Sequence, residues 1–271
     1  MPLYGKKDIQ TYTWATKPAA NLVPIYSEIW ITDVGIVPVK FFSDGTNWQT
    51  DKSIQLSILS KKCIFHSFLA ANASTYSQVG TLITVASTGH LLLAALNDGE
   101  IYLDAATGAL LPGWYTGFTY IDANSFTCIS TISQTISGTL TSRANTSVAV
   151  TAYNTTLRGG LLGKYGHLEN IVTLASASTG SKTYGGFGTS NLEMGANTAA
   201  RAFTGLVNDG TETGQWYLLN TATGFAVANG GPYERALDTT TDLTLQQKLT
   251  IISNNTWIAL YSSRMTLYRS V

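Results

Sequence analysis

The sequence is poor in charge. Asp, Glu, Lys and Arg make up 12% of the 271 residues, about half the usual share. Sixteen acidic residues balance 16 basic ones, so the formal net charge is zero. No long-range field draws such a chain to nucleic acid or to an anionic membrane. Neutrality also protects a monomer poorly from association, which points to a defined oligomer. Cysteine is scarce too. Cys63 and Cys128 each sit in an apolar stretch, with no CxxC and no zinc framework. They read as buried thiols acting as small hydrophobes; spacing alone leaves a disulfide between them open. No run of about 18 apolar residues is present, so no membrane-inserted helix is expected. The start, Met1-Pro2-Leu3-Tyr4-Gly5-Lys6-Lys7, has no signal-peptide core. Synthesis in a cytosol is expected, with any exit by a route other than secretion, of which assembly into a particle followed by lysis is one. Helical periodicity is rare. The best stretch is Leu192 to Phe203, and Gly195 weakens it.

What the sequence has instead is Thr, Ser, Asn and Gly around short Val-, Ile- and Tyr-rich runs. That is strand-and-turn chemistry, and it predicts an all-β fold. Three regions separate by composition and turn spacing. Residues 1–60 hold Pro2, Pro18, Pro24 and Pro38, four of the six prolines, so strands there must be short or at edges. This module is too small to bury much alone, so it is expected to depend on neighbours or on copies of itself, as a particle-attachment and trimerisation module. Residues 61–138 carry four or five short strands at intervals of about ten, the rhythm of a small barrel or sandwich. Residues 139–271 have the strand number of a jelly-roll-like β-sandwich.

Residues 13–48 carry a recognisable pattern: Trp14, Lys17-Pro18, Pro24, a strand Ile29 to Thr32, then Asp33 and Gly35. Phe41-Phe42, Asp44-Gly45-Thr46 and Trp48 follow. This resembles an N-terminal module of bacteriophage tail-fibre and virion proteins, with Tyr26-Ser27 where that module has a Gly before its first strand. The middle region resembles an insertion module of the same proteins, through His90, Asp98-Gly99, Gly113-Trp114-Tyr115-Thr116 and Asp122 to Thr127. The expected Gly after the His is replaced by Gly89 before it. The last region resembles the jelly-roll head of phage fibres, through Gly159 to Gly163, Gly166, Leu168, Thr179 to Tyr184 and Asp238. The resemblance implies a homotrimeric virion appendage. Its N-terminal foot would attach to other virion structural proteins, with Trp14, Asp33, Gly35, Asp44, Gly45 and Trp48 in the anchoring module. Its head would contact a host surface receptor or glycan.

Catalytic motifs are weak. Gly163-Lys164 is followed by Tyr165 where a phosphate loop needs Ser or Thr. Gly185-Gly186-Phe187-Gly188 lacks the following helix that a dinucleotide needs. His66, His90 and His167 have no HxH or HExxH neighbour, so turn or packing roles are expected. No Gly-x-Ser-x-Gly elbow is present. The pairs Asp98/Glu100 and Asp238/Asp242 lie beside turns and read as solvated, and no β-helix repeat of a depolymerising spike appears. Sugars stack on exposed aromatic faces. Trp114-Tyr115, Trp216-Tyr217, Trp257 and Tyr261 are glycan-binding candidates, of which Trp216 and Trp257 read as core, and Tyr233, in a Gly-Pro loop, is a further one.

The expectation is a phage virion fibre or spike: not an enzyme, without a cofactor, found in the virion, and a trimer near three times 29.0 kDa. Multivalent display would supply its avidity. The alternative is a purely structural virion protein, such as a capsid decoration or a tail or baseplate adaptor. A glycan-cleaving enzyme is the third reading.

Overall fold

The computed structural model describes residues 10–50, 53–68, 74–142, 150–162, 167–176, 181–187, 190–195, 201–208, 213–221, 224–226, 241–251 and 255–268. Among them the protein is all-β, with two single-turn 3-10 segments at Ala20–Leu22 and Ala94–Leu96. No helix among the described residues is long and apolar enough to cross a membrane.

The N-terminal sheet is β1 (Thr11–Tyr12), β2 (Glu28–Ile31), β3 (Val39–Ser43) and β4 (Trp48–Gln49), in that spatial order. Its strands are as short as the prolines demand. Pro18, Pro24 and Pro38 all fall between strands, where no ladder N–H is needed. The β3–β4 turn is built by Asp44. Its Oδ1 accepts from the N–H groups of Thr46 at 2.8 Å and Asn47 at 2.6 Å, and its Oδ2 accepts from Gln49 at 2.9 Å. Gly45 supplies the left-handed backbone there, with φ +91°.

Next come β5 (Ile54–Leu59), β6 (Cys63–Ser67), β7 (Ser74–Ser87), β8 (Glu100–Leu103), β9 (Gly113–Asp122) and β10 (Ser125–Thr139). They are followed by β11 (Val150–Leu157), β12 (His167–Ser176), β13 (Ser181–Phe187), β14 (Ser190–Gly195), β15 (Arg201–Asn208), β16 (Thr213–Thr221) and β17 (Gly224–Ala226). The chain closes with β18 (Leu243–Ile251) and β19 (Thr256–Tyr268). One 11-stranded sheet runs β17-β16-β15-β12-β19-β6-β8-β9-β10-β7, with β5 also paired to β19. A four-stranded sheet runs β11-β18-β13-β14.

β19 is the spine. One edge pairs with β12 along ten residues, from Ile258 to Tyr268. The other edge is shared end to end: Thr256 to Leu260 pair with β6, and Ser263 to Leu267 with β5. The sequence boundary at residue 60 therefore falls between two strands that share one partner, and the sheet continues from the middle region into the last.

Burial follows the strand period of two. β7 alternates buried and exposed through Ser74, Tyr76 and Gln78, slips at Gly80, and resumes at Ile83, Val85 and Ser87. Three apolar clusters result. The first joins the N-terminal sheet, through Ile31, Phe41 and Trp48, to Leu157, Leu161, Leu245 and Leu267 of the body. The second lies under β7, β9 and β10 and includes Ile83, Phe118, Phe126 and Trp257. The third fills a sandwich, with Cys63, Phe65, Ile258 and Leu260 of the large sheet facing Val150, Ala152, Leu249 and Ile251 of the four-stranded one.

The helical stretch expected at Leu192 to Phe203 is a correction: Leu192 to Gly195 lie in β14 and Arg201 to Phe203 in β15. Gly195 weakens a helix, and pairing of β14 to β13 and of β15 to β12 satisfies the backbone instead. Cys63 and Cys128 are buried free thiols. Burial pushes Cys63 up to about 11 and Cys128 up to about 12.

Candidate functional site

The residues singled out for the N-terminal module do come together, and they face inward. The backbone N–H of Trp14 donates to Asp33 Oδ1 at 2.7 Å. Its indole Nε1–H donates to the carbonyl of Gly159 at 2.8 Å. Its ring lies 5.4 Å from that of Phe41, and the Lys17 ammonium sits 3.9 Å over it. The second oxygen of Asp33 is 3.2 Å from Arg158 Nη2. Arg158 Nη1 then reaches Asp242 Oδ2 at 2.7 Å, and the Gly159 N–H donates to Asp242 Oδ1 at 2.7 Å. Those two bonds, the Gly159 one first, hold the Asp242 carboxyl below its usual range.

Asp33, Arg158 and Asp242 thus form a staple between the N-terminal sheet and the sandwich. Gly35 belongs to the same seat. A Cβ there would lie 3.0 Å from the Gln55 carbonyl, which accepts from the Ile36 N–H at 2.9 Å. Asp44 and Gly45 make the β3–β4 turn. Trp48 is buried, and its indole N–H donates to the Pro18 carbonyl at 2.7 Å. Sequence reasoning missed Arg158, Gly159 and Asp242 as partners of this module. They lie far along the chain, and no local spacing signals them.

Among charged and polar exposed residues such as Glu28, Lys40 and Asp44, the module also exposes apolar side chains: Leu22, Ile25 and Tyr26 at one end of β2, and Ile36 and Val37 at the other. Tyr26 is 77% exposed and holds φ +67°, a left-handed conformation that suits glycine.

The aromatic candidates of the middle region are packed. Tyr115 is 9% exposed, belongs to the second core cluster, and donates its hydroxyl to the Leu111 carbonyl at 2.6 Å. Burial raises it to about 12. Trp114 is half-buried; its indole N–H donates to Thr151 O at 2.9 Å and its ring meets Tyr102 edge-on at 5.5 Å. Tyr233 lies outside the described residues. Trp257 is core, as expected, and donates to Leu91 O at 2.7 Å.

His66 and His90, distant in sequence, meet in space. His66 is 1% exposed, and its Nε2 lies 2.6 Å from the His90 carbonyl, which fixes it as the donor. His90 Nδ1 accepts from the Leu92 N–H at 3.0 Å, so the His90 ring is neutral. Burial drives His66 down to about 3 and lowers His90 as well. Both are packing histidines, as the sequence suggests. Among the described residues, no three His, Cys, Asp or Glu side chains gather as metal ligands. Glu100 pairs with Lys61 at 2.5 Å, and Asp98 sits in a turn at φ +65°.

The remaining surface of note is the outer face of β9, β10 and β7. It carries exposed Leu82, Ile129, Ile132 and Val79. Leu82 lies opposite Ile129, and Ile129 lies opposite Thr116 of β9.

Compared with family models, curated proteins and solved structures, the chain matches none.

Proposed function

We propose that this chain is a phage virion fibre or spike protein, a homotrimer that attaches the particle to the host surface. The proposed role is assembly and binding rather than catalysis. The observation that carries the reading is the Asp33–Arg158–Asp242 staple. It ties the N-terminal sheet to the sandwich beside the apolar seat of Ile31, Phe41 and Trp48, so an attachment foot and an exposed head would be joined through one packed contact. The resemblance of residues 13–48 to a fibre module supplies the direction of attachment. Contact with the particle is then assigned to the outward Leu22, Ile25 and Tyr26, because Trp14, Asp33 and Trp48 are engaged within the chain.

The test is competition. The purified chain should block adsorption of the phage that carries it and should retain particular glycans on an array. Failure in both would sink receptor binding.

A second reading has its own support. With Tyr115 buried and Trp114 tied to Thr151, two of the three glycan-binding candidates are structural in this chain. That favours a structural virion protein, a decoration or adaptor without a receptor. It predicts normal assembly with both binding assays negative.

A further inference from the structure

The longest strands of the middle region are also its least charged. The 14 residues of β7 and the 15 of β10 include no Asp, Glu, Lys or Arg. The only charged residue of β9 is its last, Asp122, which is turned into the hairpin to bond the N–H of Asn124 at 2.7 Å and the hydroxyl of Ser125 at 2.9 Å.

β7 is also an edge. Among the described residues no strand pairs with its outer side. Soluble proteins blunt such edges with Lys, Pro or short length. β7 has neither residue and runs for 14 positions.

This surface is built rather than frayed. The β7–β10 register passes from Leu82 opposite Ile129 to Gly80 opposite Gln134, leaving a bulge at residues 130–133. Gln78, fully buried, holds that bulge: its amide donates to the carbonyls of Gly80 at 2.8 Å and Ile132 at 2.6 Å, and its oxygen accepts from Gln134 at 3.0 Å. The clamp turns Ile132 outward at 49% exposure, beside Val79 at 71% and Leu82 at 47%.

We propose that this outer face, with the free edge of β7, is where copies of the chain meet. The occupant follows from charge and area. A face without charge repels no copy of itself, and the chain's zero net charge sets up no long-range repulsion between copies. A partner selected by ion pairing finds nothing to pair with. At ~3.4 Å per residue and ~4.8 Å between strands, the three strands offer a face of roughly 600 Å². A stable interface takes about 800 Å² from each partner, so the face and its edge together are of the right order. The proposal deepens the assembly half of the proposed function and needs no receptor.

The experiment compares the whole chain with the L82K/I129K variant by light scattering. Both positions are solvent-facing, so the folded subunit tolerates lysine there. The wild type should be an assembly and the variant a monomer of 29.0 kDa with an unchanged far-UV spectrum. V37K, on the N-terminal module, should leave the mass unchanged. A variant that still assembles overturns this face while leaving the trimer reading standing. A monomeric wild type overturns both. A second readout needs no substitution: hydrogen exchange of residues 74–87 and 125–139 should slow as the wild-type concentration rises, and concentration-independent exchange in both strands overturns the proposal. Negative adsorption and glycan assays with assembly intact would sink receptor binding alone.

Discussion

The carboxylate of Asp33 lies 3.2 Å from the guanidinium of Arg158, and this pair joins two sheets that the sequence places far apart. Asp33 also holds the Trp14 N–H, so its loss frees two donors at once. The Arg158 side chain is 36% exposed, so the ion pair itself is screened and contributes under ~1 kcal/mol. With the lost backbone bond, Asp33→Ala should cost about 1–3 kcal/mol in total. Urea unfolding should show the loss, and limited proteolysis should cut more rapidly before residue 50. Unchanged proteolysis would mean that the apolar seat alone holds the module.

Tyr26 supplies a prediction of opposite sign. A left-handed backbone costs a residue with a side chain roughly 1–2 kcal/mol, and Tyr26 is exposed with φ +67°. Tyr26→Gly should therefore raise the unfolding free energy by about 1 kcal/mol after the extra unfolded-state entropy of glycine is deducted, read as a higher urea midpoint. If the midpoint falls instead, the ring contributes packing that outweighs its backbone strain.

Acid should destabilise the protein through His66. Folding depresses this group to about 3, below the ~6.5 of a free histidine. Between those values the unfolded chain binds the proton and the folded one does not. The stabilisation is therefore complete above pH 6.5 and is lost as pH falls toward 3, at up to about 1.4 kcal/mol per pH unit. His90, lowered by the same cause, adds in the same direction. Urea midpoints at pH 7.5, 5.5 and 4.5 should fall in that order, and His66→Phe should flatten the slope. A flat wild-type profile would contradict the buried neutral pair.

The thiols should be silent. With Cys63 raised to about 11 and Cys128 to about 12, almost no thiolate exists at pH 8, and both sulfurs are buried. Ellman's reagent should label neither in the native protein and both in guanidinium. Rapid native labelling of either would place it at the surface.

Much of the fold was legible in the sequence because strand signals are local. The Asp44-Gly45 turn, the prolines between short strands and the alternation along β7 all act within a few residues. Leu192 to Phe203 misled because its apolar spacing is short enough to suit either period, and pairing with β13 and β12 decided it. The site was legible in part. Trp14, Asp33 and Gly35, grouped by one motif in the sequence, lie at one seat within the chain. Their partners Arg158, Gly159 and Asp242 were invisible, because a long-range ion pair leaves no spacing signature. Tyr115 was singled out for its ring, but burial is set by the sheet it faces, which sequence order does not reveal.

The most direct test of the central claim is the mass of the intact chain in solution. Light scattering at micromolar concentration should give three times 29.0 kDa, an assembly held by the uncharged face of β9, β10 and β7. A stable species at 29.0 kDa would contradict the fibre reading and the interface together.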